Sequence, residues 1–234
     1  MSTFDELSLS HEDFSGKVRL FPLPNLVLFP HVMQPLHIFE ARYRELLEDA
    51  LAGDQLIAMA VLSSGWEKNY EGRPALYSMA CLGRVTTHFR LADGTYNVLV
   101  LGLQRVRVLR EMESNRRFRE AEVELCEDQY PAYPMAHRKE LQRKLHDALL
   151  TVLPMLPEAQ EQLDQILGND VPLGILTDVI SYMLDIDLAR KQLLLTELDV
   201  YRRAELLLAH LSDAAHDMGT AQAALGFPPE FSVN

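Results

Sequence analysis

Apolar residues along this chain follow two rhythms, and the change falls at Tyr130-Pro131-Ala132-Tyr133-Pro134. Before that point the apolar runs are short, rich in β-branched and aromatic residues, and divided by turn residues, which is the texture of strands. Beyond it leucines recur three and four apart, as on one face of a helix. The first part opens with residues 21–51, FPLPNLVLFPHVMQPLHIFEARYRELLEDAL. Two apolar runs, 23–29 and 32–39, flank Pro30 and His31. Pro30 and Pro35 cannot donate to a sheet ladder, so both are expected at strand ends or on edges. A helix follows over about 40–52, with Glu40 placing negative charge near its positive end. Its buried stripe is expected to be Ala41, Leu46, Leu47, Ala50 and Leu51, with Tyr43 on the margin. Leu28, Val32, Leu36 and Ile38 are expected in the core.

Residues 55–62, QLIAMAVL, read as a buried strand, and the polar stretch 63–74 reads as a long loop carrying the single tryptophan, Trp66. Residues 75–91 form the next strand region, with Gly83 where a bulge or close approach would sit. Asp93-Gly94 predicts a hairpin into residues 95–103, and alternation continues through 105–109. Residues 118–125 alternate again. So dense a set of strands with one early helix predicts a small, partly open β-barrel over residues 18–130. Helices are predicted at 138–153, 158–167, 171–184, 187–195 and 197–218, with Asp187 as an N-cap and Gly219 as a C-cap. The fold class is therefore α+β, a barrel followed by an α-helical bundle over 131–219. Residues 1–17 are expected to be a flexible leader and 220–234 a tail.

Composition narrows the setting. No apolar run reaches the roughly 18 residues of a membrane span, and MSTFDELSLSHEDFSGK lacks the basic start and apolar middle of a secretory signal. The two cysteines, Cys81 and Cys126, imply no disulfide framework, so a cytoplasmic location is expected. The net charge is −12, with 14 basic and 19 acidic residues through Tyr130 and 8 and 15 beyond it. Neither half is an electrostatic platform for phosphates, which makes nucleic acid an unfavoured partner.

A resemblance lies in the residues themselves. LFPLPNLVLFP followed by PLHIFEARYRELLEDAL resembles the start of the Lon protease amino-terminal, substrate-recognition domain, in particular the stand-alone form that carries HIFE and RYR. Residues 75–109 are similar to the segment of that family in which a glycine-containing strand leads through a D-G hairpin into G-x-x-R-[VF]-x-[VI]. Gly83, Asp93-Gly94 and Gly102 through Val108 take those places. Residues 172–211 are similar to the pattern of a D-x-[IV] helix, KQ-x-LLE, and a D-[VL]-x-x-R helix. Asp178-Val179, Lys191-Gln192, and Asp199-Val200 with Arg202 stand there, with a departure at Thr196-Glu197. The resemblance covers most of residues 20–212 and implies a PUA-like barrel followed by a helical bundle.

The chemistry of the full-length family is not written in these residues. The only Gly-Lys pair, Gly16-Lys17, is followed by Val18 and has His11 where a phosphate loop needs its first glycine. No G-P-S-A-G nucleophile motif is present, so neither ATPase nor protease activity is expected, and no cofactor or metal is implied. His37 and Glu40 stand three apart at a strand-to-helix junction without a third ligand, and a structural hydrogen-bonding role is the stronger reading. His210 with His216, and His137 with His146, do not share a helix face. Cys81 reads as a small core residue. Arg116, Arg117 and Arg119 cluster at a turn, as a solvated turn or a site for an acidic ligand. The leading expectation is a non-catalytic module that recognises unfolded or extended polypeptide, through an apolar groove and strand addition at an open barrel edge. Phe29, Pro30, His37, Phe39 and Tyr43 are its proposed contacts, with Arg42 and Arg105 as charge partners. The aromatic members have two roles open, core or contact surface. A separate protease or ATPase is a further candidate partner. RNA or nucleotide binding by a PUA-like barrel, and a small-molecule pocket at the barrel–bundle junction, are the alternatives.

Overall fold

The computed structural model describes residues 14–70, 72–152, 171–218 and 232–233, with side chains omitted at 152, 214–218 and 232–233. The helix expected at 158–167, the cap at Gly219, the side chain of His216, and most of the leader and tail lie outside the described residues. The chain divides between Glu127 and Asp128 into two compact units, and the short strand Ser232–Val233 belongs to the first.

The first unit contains β1 (Lys17–Leu23), β2 (Met33–Ile38), α1 (Ala41–Ala52), β3 (Leu56–Val61), β4 (Met79–Arg90), β5 (Tyr96–Met112), β6 (Arg119–Cys126) and β7 (Ser232–Val233). The strands form one mixed sheet in the order β4-β3-β1-β6-β5-β2-β7, and β4 also pairs with β5. That last pairing closes a circuit through β1, β3, β4, β5 and β6, from which β2 extends as a branch on β5. Apolar side chains from those five strands, among them Leu20, Ala58, Leu82, Val106 and Ala121, meet in a single core cluster. Burying them is the principal favourable contribution to folding, at about 25 cal/mol per Å² of apolar surface.

The first strand lies earlier than expected. Residues 17–23 pair with β3 and β6, whereas residues 24–29 follow a bend and run without strand pairing. The bend falls at Pro24-Asn25, both turn formers. Pro22 is tolerated within β1 because pairing to β6 ends at Leu20, leaving one side of the strand open there. Leu28 and Phe29 still reach the interior, along with Val32, Leu36 and Ile38. Their segment is held to β5 by backbone bonds from His31 N to Gly102 O (2.8 Å) and from Gly102 N to Val32 O (2.9 Å). A side chain on Gly102 would collide with the Phe29 carbonyl oxygen, which explains a glycine in the middle of a long strand.

Helix α1 buries Tyr43, Leu46, Leu47 and Ala50, while Ala41 is exposed and Leu51 half-buried. The stripe is therefore rotated from the expected one, and Tyr43 sits inside it rather than on its margin. Its ring packs on Phe21 with centroids 4.3 Å apart, and its hydroxyl donates to Pro22 O at 2.8 Å. That single bond satisfies the polar tip, which lets an otherwise apolar ring be buried. The Asp93-Gly94 hairpin joins β4 and β5 with Gly94 at φ +83°, a left-handed conformation natural to glycine. A register shift falls at Leu82/Gly83, and β5 runs unbroken for 17 residues.

The second unit holds α2 (Met135–Val152), α3 (Leu173–Met183), α4 (Leu188–Thr196) and α5 (Val200–Met218). Asp187 caps α4 by accepting from Arg190 N at 2.8 Å. Asp199 caps α5 through Tyr201 N at 2.9 Å, so that helix opens at Val200 rather than Glu197. The arginine that matters in this unit is Arg203 and not Arg202. Arg202 projects outward to Glu197 at 3.2 Å, but Arg203 is fully buried. Arg203 grips Asp128 with two bonds of 2.9 and 2.7 Å, donates to Thr177 Oγ1 at 2.9 Å and to Glu197 O at 2.8 Å, and has Asp178 3.8 Å away. Asp178, a position of the family-like pattern, and Arg203, the neighbour of the arginine noted there, thus belong to one buried polar network.

Candidate functional site

β2 has one face in the core and one turned outward. Val32, Gln34, Leu36 and Ile38 point in, and Met33, Pro35, His37 and Phe39 take the alternate positions. In register, Met33, Pro35 and His37 stand opposite Leu101, Leu99 and Asn97 of β5. On the far side of β5, Arg84, Thr87 and Phe89 of β4 stand opposite Leu101, Leu99 and Asn97. Three rows therefore cross the outer surface of β2, β5 and β4. Met33 is 49% exposed, Phe39 42% and Phe89 65%, with Leu99 and Leu101 half-buried between them. Large apolar side chains grouped on one exposed sheet face mark an interaction surface more often than chance exposure does.

The polar members of this face are held in place. His37 Nδ1 meets Asn97 Oδ1 at 2.8 Å, and its ring lies nearly parallel to Phe39 with centroids 6.2 Å apart. Glu40 turns instead to Tyr70, which donates to its Oε1 at 2.8 Å, and to Arg42 Nε at 2.9 Å. His37 and Glu40 thus serve different neighbours. Among the described residues no group of three His, Cys, Asp or Glu side chains is arranged to hold a metal ion.

Of the seven expected contact residues, the structure brings His37 and Phe39 to this face and places the others elsewhere. Phe29 and Pro30 are buried, as is Tyr43, whose phenol is pushed well above its usual pKa chiefly by that burial. Arg105 is buried in β5, in register between Cys81 and Cys126. Arg42 stacks over the Tyr43 and Tyr70 rings at 4.7 and 4.6 Å and is tied to Glu40 and Tyr70 O, so its charge is already engaged. Met33, Phe89, Leu99 and Leu101 join the face without having been expected. A signal for them existed: residues 32–39 and 98–103 carry apolar side chains at both odd and even positions. A strand with only one buried face should alternate apolar with polar.

The basic cluster is neutralised from within. Arg116 pairs with Asp49, Arg117 lies 3.6 Å from Glu45, and Arg119 is forked onto Glu111. Arg107 and Arg110 likewise face Glu124 and Glu122 across the β5–β6 ladder at 2.9 and 2.8 Å. Asp49 is held below the usual carboxylate range: desolvation opposes ionisation, but hydrogen bonds from Arg116 and Arg19 outweigh it. No unopposed cationic stripe arises from these residues.

At the rim of the face, β2 has β5 on one side and, among the described residues, the two-residue β7 on the other. β7 runs parallel to β2, with Leu36 opposite Ser232 and His37 opposite Val233.

Comparison with known proteins gives this arrangement its relatives. The family described as the ATP-dependent protease La (LON) substrate-binding domain matches residues 17–213. Lon protease 2 of Myxococcus xanthus is 26% identical over 210 residues, which span 87% of this chain and 24% of that protein. Lon protease of Xanthomonas oryzae pv. oryzae is 31% identical over 191 residues, covering 81% of this chain and 22% of that one. The chain spans about a quarter of the length of these curated relatives. Among solved structures, the N-terminal domain of Mycobacterium avium complex Lon protease superposes with a TM-score of 0.67 at 18% identity, covering 84% of this chain and 98% of that one. A Lon N-terminal domain protein from Xanthomonas campestris gives 0.59 at 24% identity, covering 82% and 97%. By its sequence over nearly its whole described length, the chain belongs to the Lon substrate-binding domain family.

Proposed function

We propose that this domain is a non-catalytic recognition module that holds unfolded or extended polypeptide against the outer face of β2, β5 and β4. The observation that carries the reading is the grouping of Met33, Phe39 and Phe89 around Leu99 and Leu101, in a unit whose remaining surface is laced with ion pairs. Membership of a substrate-binding family supports it, and so does the internal pairing of Arg107, Arg116, Arg117 and Arg119, which leaves little for a phosphate backbone to neutralise. Covering about 300 Å² of apolar surface contributes roughly 7 kcal/mol before the costs of association and peptide ordering are subtracted. The net affinity is weak, which suits a module that samples many sequences and releases them. ATP hydrolysis and peptide cleavage belong to a separate ATPase or protease in this reading. The setting is the cytoplasm, in protein quality control; Cys81 and Cys126 are unbridged, and among the described residues no helix is long and apolar enough to cross a membrane.

The test is the double variant F39S/F89S with fluorescently labelled unfolded casein, followed by anisotropy. Binding should weaken about tenfold while the melting temperature moves by no more than about 2 °C, since both side chains are exposed. Binding of the parent protein should persist at moderate salt. Unchanged casein binding by the variant would overturn the assignment of the face. Tight RNA binding that collapses with salt would favour a nucleic-acid role instead.

A further inference from the structure

We propose that the strand-rich unit holds one small monovalent anion, of halide size, in a hollow between Arg119 and Arg42. Four segments of the unit meet there: Pro22 of β1, Arg42 and Tyr43 at the start of α1, Leu62 and Tyr70 of the stretch after β3, and Arg119 at the start of β6. The hollow offers about 10 Å³ to the centre of a water-sized particle, enough for one water or one halide. Arg119 is buried, with 7% of its surface exposed, and its guanidinium is engaged on one edge only. Its Nε and Nη2 both donate to the Glu111 carboxylate, which does not line the hollow. The remaining nitrogen, Nη1, is shut off from solvent and has no acceptor among the described residues. A charged donor that is desolvated and left without an acceptor is costly. An arginine kept in that state beside a cavity points to a ligand that accepts.

Arg42 reaches the same hollow from α1. Its Nε donates to Glu40 Oε2 and its Nη1 to Tyr70 O, whereas Nη2 lies 2.8 Å from Glu40 Oε2 without making a hydrogen bond. The two tyrosine hydroxyls already use their protons, Tyr43 on Pro22 O and Tyr70 on Glu40 Oε1. Pro22 and Leu62 close the remainder with carbon. A water bridging the guanidinium groups would accept from them but must also donate two bonds of its own, and a guanidinium offers no acceptor. An ion that only accepts has no such requirement. Glu40 and Glu111 each neutralise one of the arginines. The anion is therefore held by short, charge-assisted hydrogen bonds and not by an excess of positive charge, and its affinity is modest. Once seated, it ties the stretch after β3 to α1 and β6. The site shares no residue with the apolar face of β2, β5 and β4, and it stands whether or not that face binds polypeptide.

The experiment compares the melting temperature of the full chain in sodium chloride and in sodium gluconate at equal ionic strength. Chloride should raise it by about 3 °C, because an ion bound to the folded state alone stabilises that state. Arg119→Lys keeps a cation for Glu111 but has no second nitrogen for the hollow, so the chloride gain should vanish in it. Hydrogen exchange at residues 62–70 should slow in chloride for the unsubstituted chain and not for the variant. Crystals of the unsubstituted chain soaked in sodium bromide should show an anomalous peak between Arg42 and Arg119, which decides the matter even where the variant fails to fold. Equal melting of the unsubstituted chain in the two salts would overturn the proposal. So would a chloride gain of the same size in the variant, or water alone between the two guanidinium groups after the bromide soak.

Discussion

In the strand-rich unit most ion pairs lie at the surface, although Arg105 of β5 and Arg119 of β6 are buried. Arg19 meets Asp49 and Asp54, Arg107 meets Glu124, and Arg110 meets Glu122, while the central cluster is apolar throughout. In the helical unit the reverse device operates, since Arg203 lies fully buried against Asp128, Thr177 and the Glu197 carbonyl. The two respond differently to damage. An apolar core loses stability in increments as methylene groups are removed, and its rim can be left open to bind something else. A buried ionic network fails as a whole, because deleting one member strands a desolvated charge on another. The strand-rich unit exposes the apolar face of β2, β5 and β4. The helical unit uses its buried charges to fix its own helices.

The sharpest way to break this contrast is Arg203→Met. Removal of the guanidinium leaves Asp128 and Asp178 without their cation, at a cost of about 3–5 kcal/mol. Hydrogen exchange should rise throughout α3 and α5 and change little in β3. Loss shared equally by strands and helices would dissolve the distinction. Next in size is Gly102→Ala, which drives a methyl group into the Phe29 carbonyl and should cost about 2–3 kcal/mol, read as a lower urea midpoint with an unchanged slope. A cost below about 0.5 kcal/mol would show that the segment before β2 yields easily, and the strand unit would then be less rigid than its hydrogen bonds imply. The smallest effect belongs to the surface pairs. Asp49 has a lowered pKa in the folded state, so its contribution is present above its unfolded pKa of about 3.9 and disappears as the pH falls through the folded value. Asp49→Asn should therefore lower stability by no more than about 1 kcal/mol at pH 7. The gap between parent and variant should stay flat down to about pH 5 and close in more acidic solution. A gap that widens with acid would reverse the sign and remove Asp49 from the account.

Much of the architecture is legible in the sequence. The Asp93-Gly94 hairpin, the alternation of residues 105–109 in β5 and the Asp187 cap are local signals with local causes, and they survive into the structure. What is not legible depends on partners distant in the chain. β1 lies just ahead of the apolar run at 23–29 that reads as the opening strand, because its strand character comes from pairing with β3 and β6 rather than from its own composition. Tyr43 looks marginal until Pro22 offers its carbonyl, and Arg202 and Arg203 cannot be told apart until Asp128 arrives from 75 residues away. For the candidate face, the prolines and aromatics of residues 29–43 point to the right stretch but not the right side of it. Phe29 and Tyr43 turn inward, and the face is completed by Leu99, Leu101 and Phe89 from strands that no local pattern ties to β2.

The length of β5 has a mechanical meaning. Its first half carries β2 through pairs at Tyr96–Leu101, and its second half is riveted to β6 from Arg105 to Met112. A polypeptide gripped along β2 and then pulled lengthwise would load the β2–β5 ladder in shear. Six rungs would share the force at once instead of opening one after another. The tension would pass along a single continuous strand into the closed circuit behind it. Such a geometry resists traction far better than a loop or a helix end would, and it makes β5 the tie-rod through which a pulling partner would feel the barrel.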